Sequence, residues 1–260
     1  MSNNYKLKIT TPTVELVLNT RRGLAITELC FPKIDKGWLV GTILHGSYHN
    51  VAYSADFYSG HTLAEVFGGH KLNDLVGVTP AIKEDKEFVE VIVHIKLNEG
   101  TIEKIFKVSK NRPQIILQYK FDLKGTWSTF RTGKVTLNPD AFDLKSLYYE
   151  CHNGGVGAEK FFLKNTKEMS PGPLSFSLSS PGCLGNTTGR LVIGDSKHKL
   201  ILENDPAECA ALPIIHFVSN VDGRSFVRVA YSLCEFDDTR IGRPTAPIRT
   251  SFTLSITGSK

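Results

Sequence analysis

Several absences bound what this chain can be. No apolar run in its 260 residues approaches the roughly 20 that a membrane-crossing helix needs. The opening Met1-Ser2-Asn3-Asn4-Tyr5 lacks the apolar core of a signal peptide. These two features predict a cytoplasmic protein with no membrane partner. Cysteine is scarce: Cys30, Cys151, Cys183, Cys209 and Cys234 are odd in number, widely spaced and free of any CxxC pair. They read as buried thiols in a reducing compartment, not as a disulfide framework. Blocks of one charge are missing as well. The net charge of +5 comes from 31 Lys and Arg scattered among 26 Asp and Glu, and runs such as Lys83-Glu84-Asp85-Lys86-Glu87 mix signs as a solvated turn does. That distribution argues against a nucleic-acid partner.

Metal and cofactor signatures are lacking too. HExxH does not occur, and His45 and His49, four apart, are separated by Gly46-Ser47, a poor helix; no metal site is expected. Gly154-Gly155-Val156-Gly157 has no long helix after it, so it reads as a corner and not a phosphate cradle. No cofactor is expected. No stretch has the pattern of a long amphipathic helix, and no linker, repeat or low-complexity tract divides the chain. A single domain spanning 1–260 is the economical reading.

What is present is strand periodicity. Val14, Leu16 and Leu18, and again Leu24, Ile26 and Leu29, recur at the short spacing of strands, and Asn19-Thr20-Arg21-Arg22-Gly23 between them suits a hairpin connection. Phe88 to Leu97, Thr101 to Val108 and Gln114 to Phe121 predict a three-stranded meander, with Asn98-Glu99-Gly100 as its first turn. Further short strands are expected at Trp127 to Leu137, Tyr148 to His152, Leu174 to Ser179, Gly189 to Ile193, Leu200 to Leu202, Leu212 to Val218, Phe226 to Leu233 and Ile248 to Ile256. Residues 45–80 break the alternation, and a single helical turn over 62–67 ending at Gly68-Gly69 is expected there. The fold class is all-β, an antiparallel two-sheet sandwich.

Two clusters carry candidate chemistry. Asp56, Tyr58, His61, Glu65 and His70 crowd carboxylates, imidazoles and an aromatic ring into one segment; His61 with Glu65 could move protons and Tyr58 could stack on a sugar. The alternative is that these groups satisfy loop backbone, with His61 bonded to a carbonyl. In the second cluster Tyr148, Glu150 and His152 alternate along one strand and share a face, with Asn153 at its end. An aromatic platform, an acid and a base would then meet one ligand; the alternative is a polar strand face open to water. Cys151 points the other way and reads as core. Arg131, inside a strand, is a candidate ligand for a carboxylate or sugar hydroxyls.

Leu16 to Gly23, Asp56 to Thr62, Tyr148 to Gly155 and Gly182-Cys183-Leu184-Gly185 through Gly194-Asp195 together resemble the galactose mutarotase-like β-supersandwich. More particularly they are similar to such domains associated with glycoside hydrolases, including family 57. The resemblance implies two large antiparallel sheets, a concave face that takes a saccharide, and in true mutarotases a His acid with a Glu base. The mutarotase His-Pro-Tyr-Phe-Asn type motif has no counterpart here, so those residues do not transfer position by position. By residue type, Glu150 would be base or nucleophile and His152 or His61 the acid, with Asp56, Tyr58, Glu65, His70, Arg131, Tyr148 and Asn153 binding substrate. Two functions follow: glycoside hydrolase or aldose epimerase chemistry on a sugar, or a non-catalytic carbohydrate-binding module that uses the same face.

Overall fold

The computed structural model describes residues 5–41, 58–66, 71–125, 127–143, 145–163, 176–178, 186–221, 224–234 and 247–258. Of the sequence candidates, Asp56 and His70 lie outside them, as do His45, His49 and Cys183. The first strands are β1 (Lys6–Thr10), β2 (Glu15–Asn19), β3 (Ala25–Phe31), β4 (Asp35–Gly41), β5 (Leu63–Val66), β6 (Lys71–Asn73) and β7 (Ala81–Glu84). Then come β8 (Phe88–Leu97), β9 (Gly100–Ser109), β10 (Gln114–Leu123), β11 (Trp127–Thr136), β12 (Tyr148–His152) and β13 (Ala158–Phe162). The last are β14 (Phe176–Leu178), β15 (Arg190–Gly194), β16 (His198–Asn204), β17 (Leu212–Val221), β18 (Arg224–Cys234) and β19 (Ile248–Gly258).

These strands form three antiparallel sheets. A four-stranded meander runs β1-β2-β3-β4, a nine-stranded sheet runs β13-β12-β15-β16-β19-β10-β9-β8-β7, and a six-stranded sheet runs β14-β17-β18-β11-β5-β6. No α-helix occurs among the described residues, so none there is long and apolar enough to cross a membrane. The expected meander is present, β8 pairing with β9 from Phe88↔Ser109 to Leu97↔Gly100 without a slip. One expectation fails: residues 63–66 are not a helical turn but strand β5, hydrogen-bonded between β11 and β6. Four residues make too short a helix to offset its own nucleation, whereas a strand here gains two ladders at once.

Alternation decides what is buried. On β8, Val89, Val91, Val93 and Ile95 enter the core while His94 and Lys96 meet water. The inner faces of the two larger sheets meet through aromatic rings: Phe121 lies edge-on to Phe130 at 4.9 Å, and Tyr231 packs on Phe252 at 4.5 Å. The four-stranded meander joins the six-stranded sheet where Val40 bridges Leu137, and its own core face carries Leu16, Leu18, Ile26 and Leu29.

Candidate functional site

Of the first cluster, the described part is Tyr58 to Glu65, and residues 59–62 stitch the three sheets together. Ser59, fully buried, bridges Ile26, donates its hydroxyl to the Gly41 carbonyl at 3.0 Å, and accepts the Thr136 N–H at 2.9 Å. The Gly60 N–H donates to the Lys134 carbonyl, and the Gly60 carbonyl accepts the Tyr119 hydroxyl at 2.9 Å and Lys104 Nζ at 2.9 Å. Thr62 shares a 2.8 Å hydroxyl bond with Thr132. This backbone must satisfy its polar groups away from water, and neighbouring sheets supply the partners.

His61 is the centre of a buried ionic node. Its Nδ1 lies 2.6 Å from Asp74 Oδ1, which also accepts the Thr62 N–H at 3.0 Å. Lys104 Nζ stands 2.6 Å from Asp74 Oδ2 as an ion pair, and donates to the Gly23 carbonyl at 2.7 Å. All three side chains are fully buried. Burial, helped by the positive charge of Lys134 and opposed by Asp74, lowers the His61 pKa from 6.5 to about 4. At neutral pH the ring is therefore uncharged, and the His61–Asp74 contact is a hydrogen bond donated by Nδ1–H and not an ion pair. Burial alone would raise Asp74, but Lys104 first and His61 second outweigh it and hold the carboxyl well below its usual range. The His61 bond goes to a carboxylate instead of the expected carbonyl, and a ring with no exposed surface does not reach a saccharide.

The second cluster lies on the opposite face of the nine-stranded sheet. Glu150 pairs with Val192, Val192 with Ile201, Ile201 with Ser255 and Ser255 with Gln114, all positions alternating with core residues. Lys104 pairs with Tyr119 on the inner face. Tyr148, Glu150 and His152 thus share a face, but not with His61. Tyr148 is buried and offers no open platform: Lys160 from β13 sets its ammonium 3.7 Å from the ring centroid. His152, half-buried, bonds Thr187 Oγ1 through Nδ1 at 2.6 Å, and Nδ1 also accepts the Gly154 N–H at 3.2 Å, which leaves the proton of the neutral ring on Nε2. Asn153 donates to Glu159 at 2.6 Å. Cys151 is core, as its parity predicts. Tyr58 is half-buried with the Arg22 guanidinium 6.0 Å over its ring.

A third grouping comes from the six-stranded sheet. Arg131 on β11 stands directly across from Ser232 on β18 and from Leu63 on β5, so Glu65, two residues along β5, is its diagonal neighbour on the same face. That face is turned away from the core, since Phe130 and Ala64, at the alternate positions, are both core residues. Lys134 and Thr136 alternate with core Val135 and Leu137, and Arg228 with core Val227 and Val229, so all three belong to the outward side. Even so, Lys134 and Arg228 are fully buried, and Ser232 Oγ is buried with no hydrogen-bond partner among the described residues. The sequence reading named Glu65 and Arg131 but missed Lys134, Arg228 and Ser232. The signal was available: in Val227-Arg228-Val229-Ala230-Tyr231-Ser232 the large apolar residues keep one phase, with Arg228 and Ser232 in the other, and a polar set in phase on neighbouring strands marks a functional or covered face.

No family model matches this chain, and no curated protein matches it. Among solved structures it is similar to a putative aldose 1-epimerase from Escherichia coli K12, with a TM-score of 0.56 and 11% identity over 97% of this chain and 99% of that one. It is similar to a galactose mutarotase-like protein from Clostridium acetobutylicum, at a TM-score of 0.53 and 8% identity, covering 97% and 94% of the two chains. The α-N-acetylgalactosaminidase NagBb from Bifidobacterium bifidum, in complex with GalNAc, gives 0.61 and 10% identity; this chain covers 36% of its length. The fold is galactose mutarotase-like, as the sequence resemblance implied. The finer association with family 57 finds no support in these three likenesses.

Proposed function

We propose that this chain binds a saccharide on the outward face of the six-stranded sheet, with Arg131 and Glu65 contacting ring hydroxyls. The carrying observation is the pair Glu65 and Arg131: a carboxylate acceptor and a forked donor, both half-buried and diagonal neighbours on two hydrogen-bonded strands. A neutral polyol needs donors and acceptors together at hydroxyl spacing, and a guanidinium beside a carboxylate supplies both. The kinship of fold with epimerases and with a glycosidase known in complex with GalNAc supports the same reading.

Titration calorimetry against neutral monosaccharides and disaccharides tests it. Arg131→Met is expected to weaken binding about 10- to 100-fold, the worth of a hydrogen bond to a charged group, and Glu65→Gln by about tenfold. Affinity unchanged in both variants would sink the proposal. One observation favours a second reading, aldose epimerase chemistry by Glu150 and His152: both stand half-buried on the same face of β12, an acid and an imidazole in phase on one strand. In that case wild-type protein speeds the mutarotation of glucose or galactose followed by polarimetry, and Glu150→Gln abolishes the acceleration while leaving calorimetric binding intact. No acceleration by the wild type leaves the binding reading standing alone.

A further inference from the structure

The solvent side of the four-stranded meander carries a groove of about 430 Å³ that none of the candidate residues enters. Two of its cross-strand rows are Lys8–Val17–Glu28 and Glu15–Cys30–Trp38. Val17, Pro32 and Trp38 give it an apolar floor, and Lys8, Glu15, Glu28 and Lys36 a charged rim. An antiparallel sheet with one face in the core ordinarily shows polar residues on the other, so Val17 and Trp38 break the pattern there. The indole lies over the Gly41 backbone: a Cβ on Gly41 would come within 2.9 Å of Trp38 Cζ3. Gly41 therefore leaves room for the ring to lie along the strand.

The rim narrows the ligand class. Glu15 is paired with Lys8 at 2.8 Å and Glu28 with Lys6 at 3.4 Å, so the groove has little net field to select an anion or a cation. What it keeps is donors and acceptors side by side around an aromatic plane. A neutral saccharide has a C–H face to lay on an indole and hydroxyls that both donate and accept. The volume falls in the range of small-molecule sites, about 300–1,000 Å³.

We infer that this groove is a second saccharide-binding site, separate from the Arg131 face, in which a sugar ring stacks on Trp38 between Glu15 and Glu28. The other tryptophan of the chain, Trp127, is buried, so acrylamide quenching of the full-length protein reports chiefly on Trp38. Glucose, galactose, N-acetylgalactosamine, maltose, cellobiose and lactose are titrated to about 10 mM, ten times above a Kd of about 1 mM. At least one is expected to shift the emission to shorter wavelength and to reduce quenching. The same shift should persist in Arg131→Met, and calorimetric affinity at this site should fall about tenfold in Trp38→Phe and further in Trp38→Ala. Two outcomes overturn the inference: no spectral change with any sugar, or a change lost in Arg131→Met, which would trace the signal to the other face. Self-association of the wild type in sedimentation that Trp38→Ala abolishes, with no sugar effect, would reassign the groove to a second copy of the chain and likewise overturn it.

Discussion

Asp74→Ala is expected to lower the unfolding free energy by about 3–5 kcal/mol, because it leaves Lys104 charged and fully buried with only carbonyl partners. The urea midpoint measures the loss. Removing both charges, in Asp74→Asn with Lys104→Met, should recover a large part of it, since two neutral groups of similar shape carry no uncompensated ion. A double variant as unstable as the sum of its singles would mean that the pair contributes nothing as a pair. The same node makes the fold sensitive to acid. The unfolded chain protonates His61 near 6.5, whereas the folded chain resists until about 4, so the contribution of the neutral ring is complete above pH 6.5 and is lost as pH falls towards 4. That difference is worth a few kcal/mol. Asp74, also lowered, acts in the same direction, its share disappearing only at lower pH still. His61→Gln should flatten the dependence of the urea midpoint between pH 7 and pH 5; an unchanged slope would place the acid sensitivity elsewhere.

Much of this architecture was legible because sheets write their faces into the sequence with a period of two. The bounds of β12, Tyr148 to His152, and the shared face of Tyr148, Glu150 and His152 follow from alternation alone. The galactose mutarotase-like fold was legible from scattered segments. Alternation does not say which face meets which sheet, and that is where the site reading divided. His61 and Glu150 both sit among chemically able neighbours, yet opposite sides of one sheet separate them. The partner of His61 lies 13 residues on, in Asp74, within a polar stretch that carries no periodic signal of its own. Lys104 did leave a mark: it stands in phase with Ile102 and Phe106, both in the core. A lysine at an inward position of an otherwise regular strand predicts a buried counter-charge, since an unpaired one would be too costly to keep. Tyr148 shows the reverse limit, for its platform was readable but the cation from the neighbouring strand that covers it was not.

Gly23→Ala is expected to cost about 3 kcal/mol or more, for two reasons that act through the same residues. Gly23 has φ +56°, a left-handed conformation that an L side chain adopts at a cost of about 1–2 kcal/mol. A Cβ there would also stand 1.7 Å from the Asp74 carbonyl oxygen, which is backbone and cannot rotate aside. The turn is fixed on both sides, its N–H donating to the Val76 carbonyl and its own carbonyl accepting Lys104. Relief must therefore come from moving residues 74–76, and that displaces the Asp74 carboxylate from Lys104 and His61. The consequence is non-additivity. In an Asp74→Ala background the ionic contacts are already gone, and the further cost of Gly23→Ala should shrink to the local strain of the turn, about 1–2 kcal/mol. Chemical denaturation of the two single variants and the double decides the matter: a double variant that loses the full sum would mean that the Gly23 turn and the buried node are independent, and that the close approach of the turn to Asp74 serves packing alone.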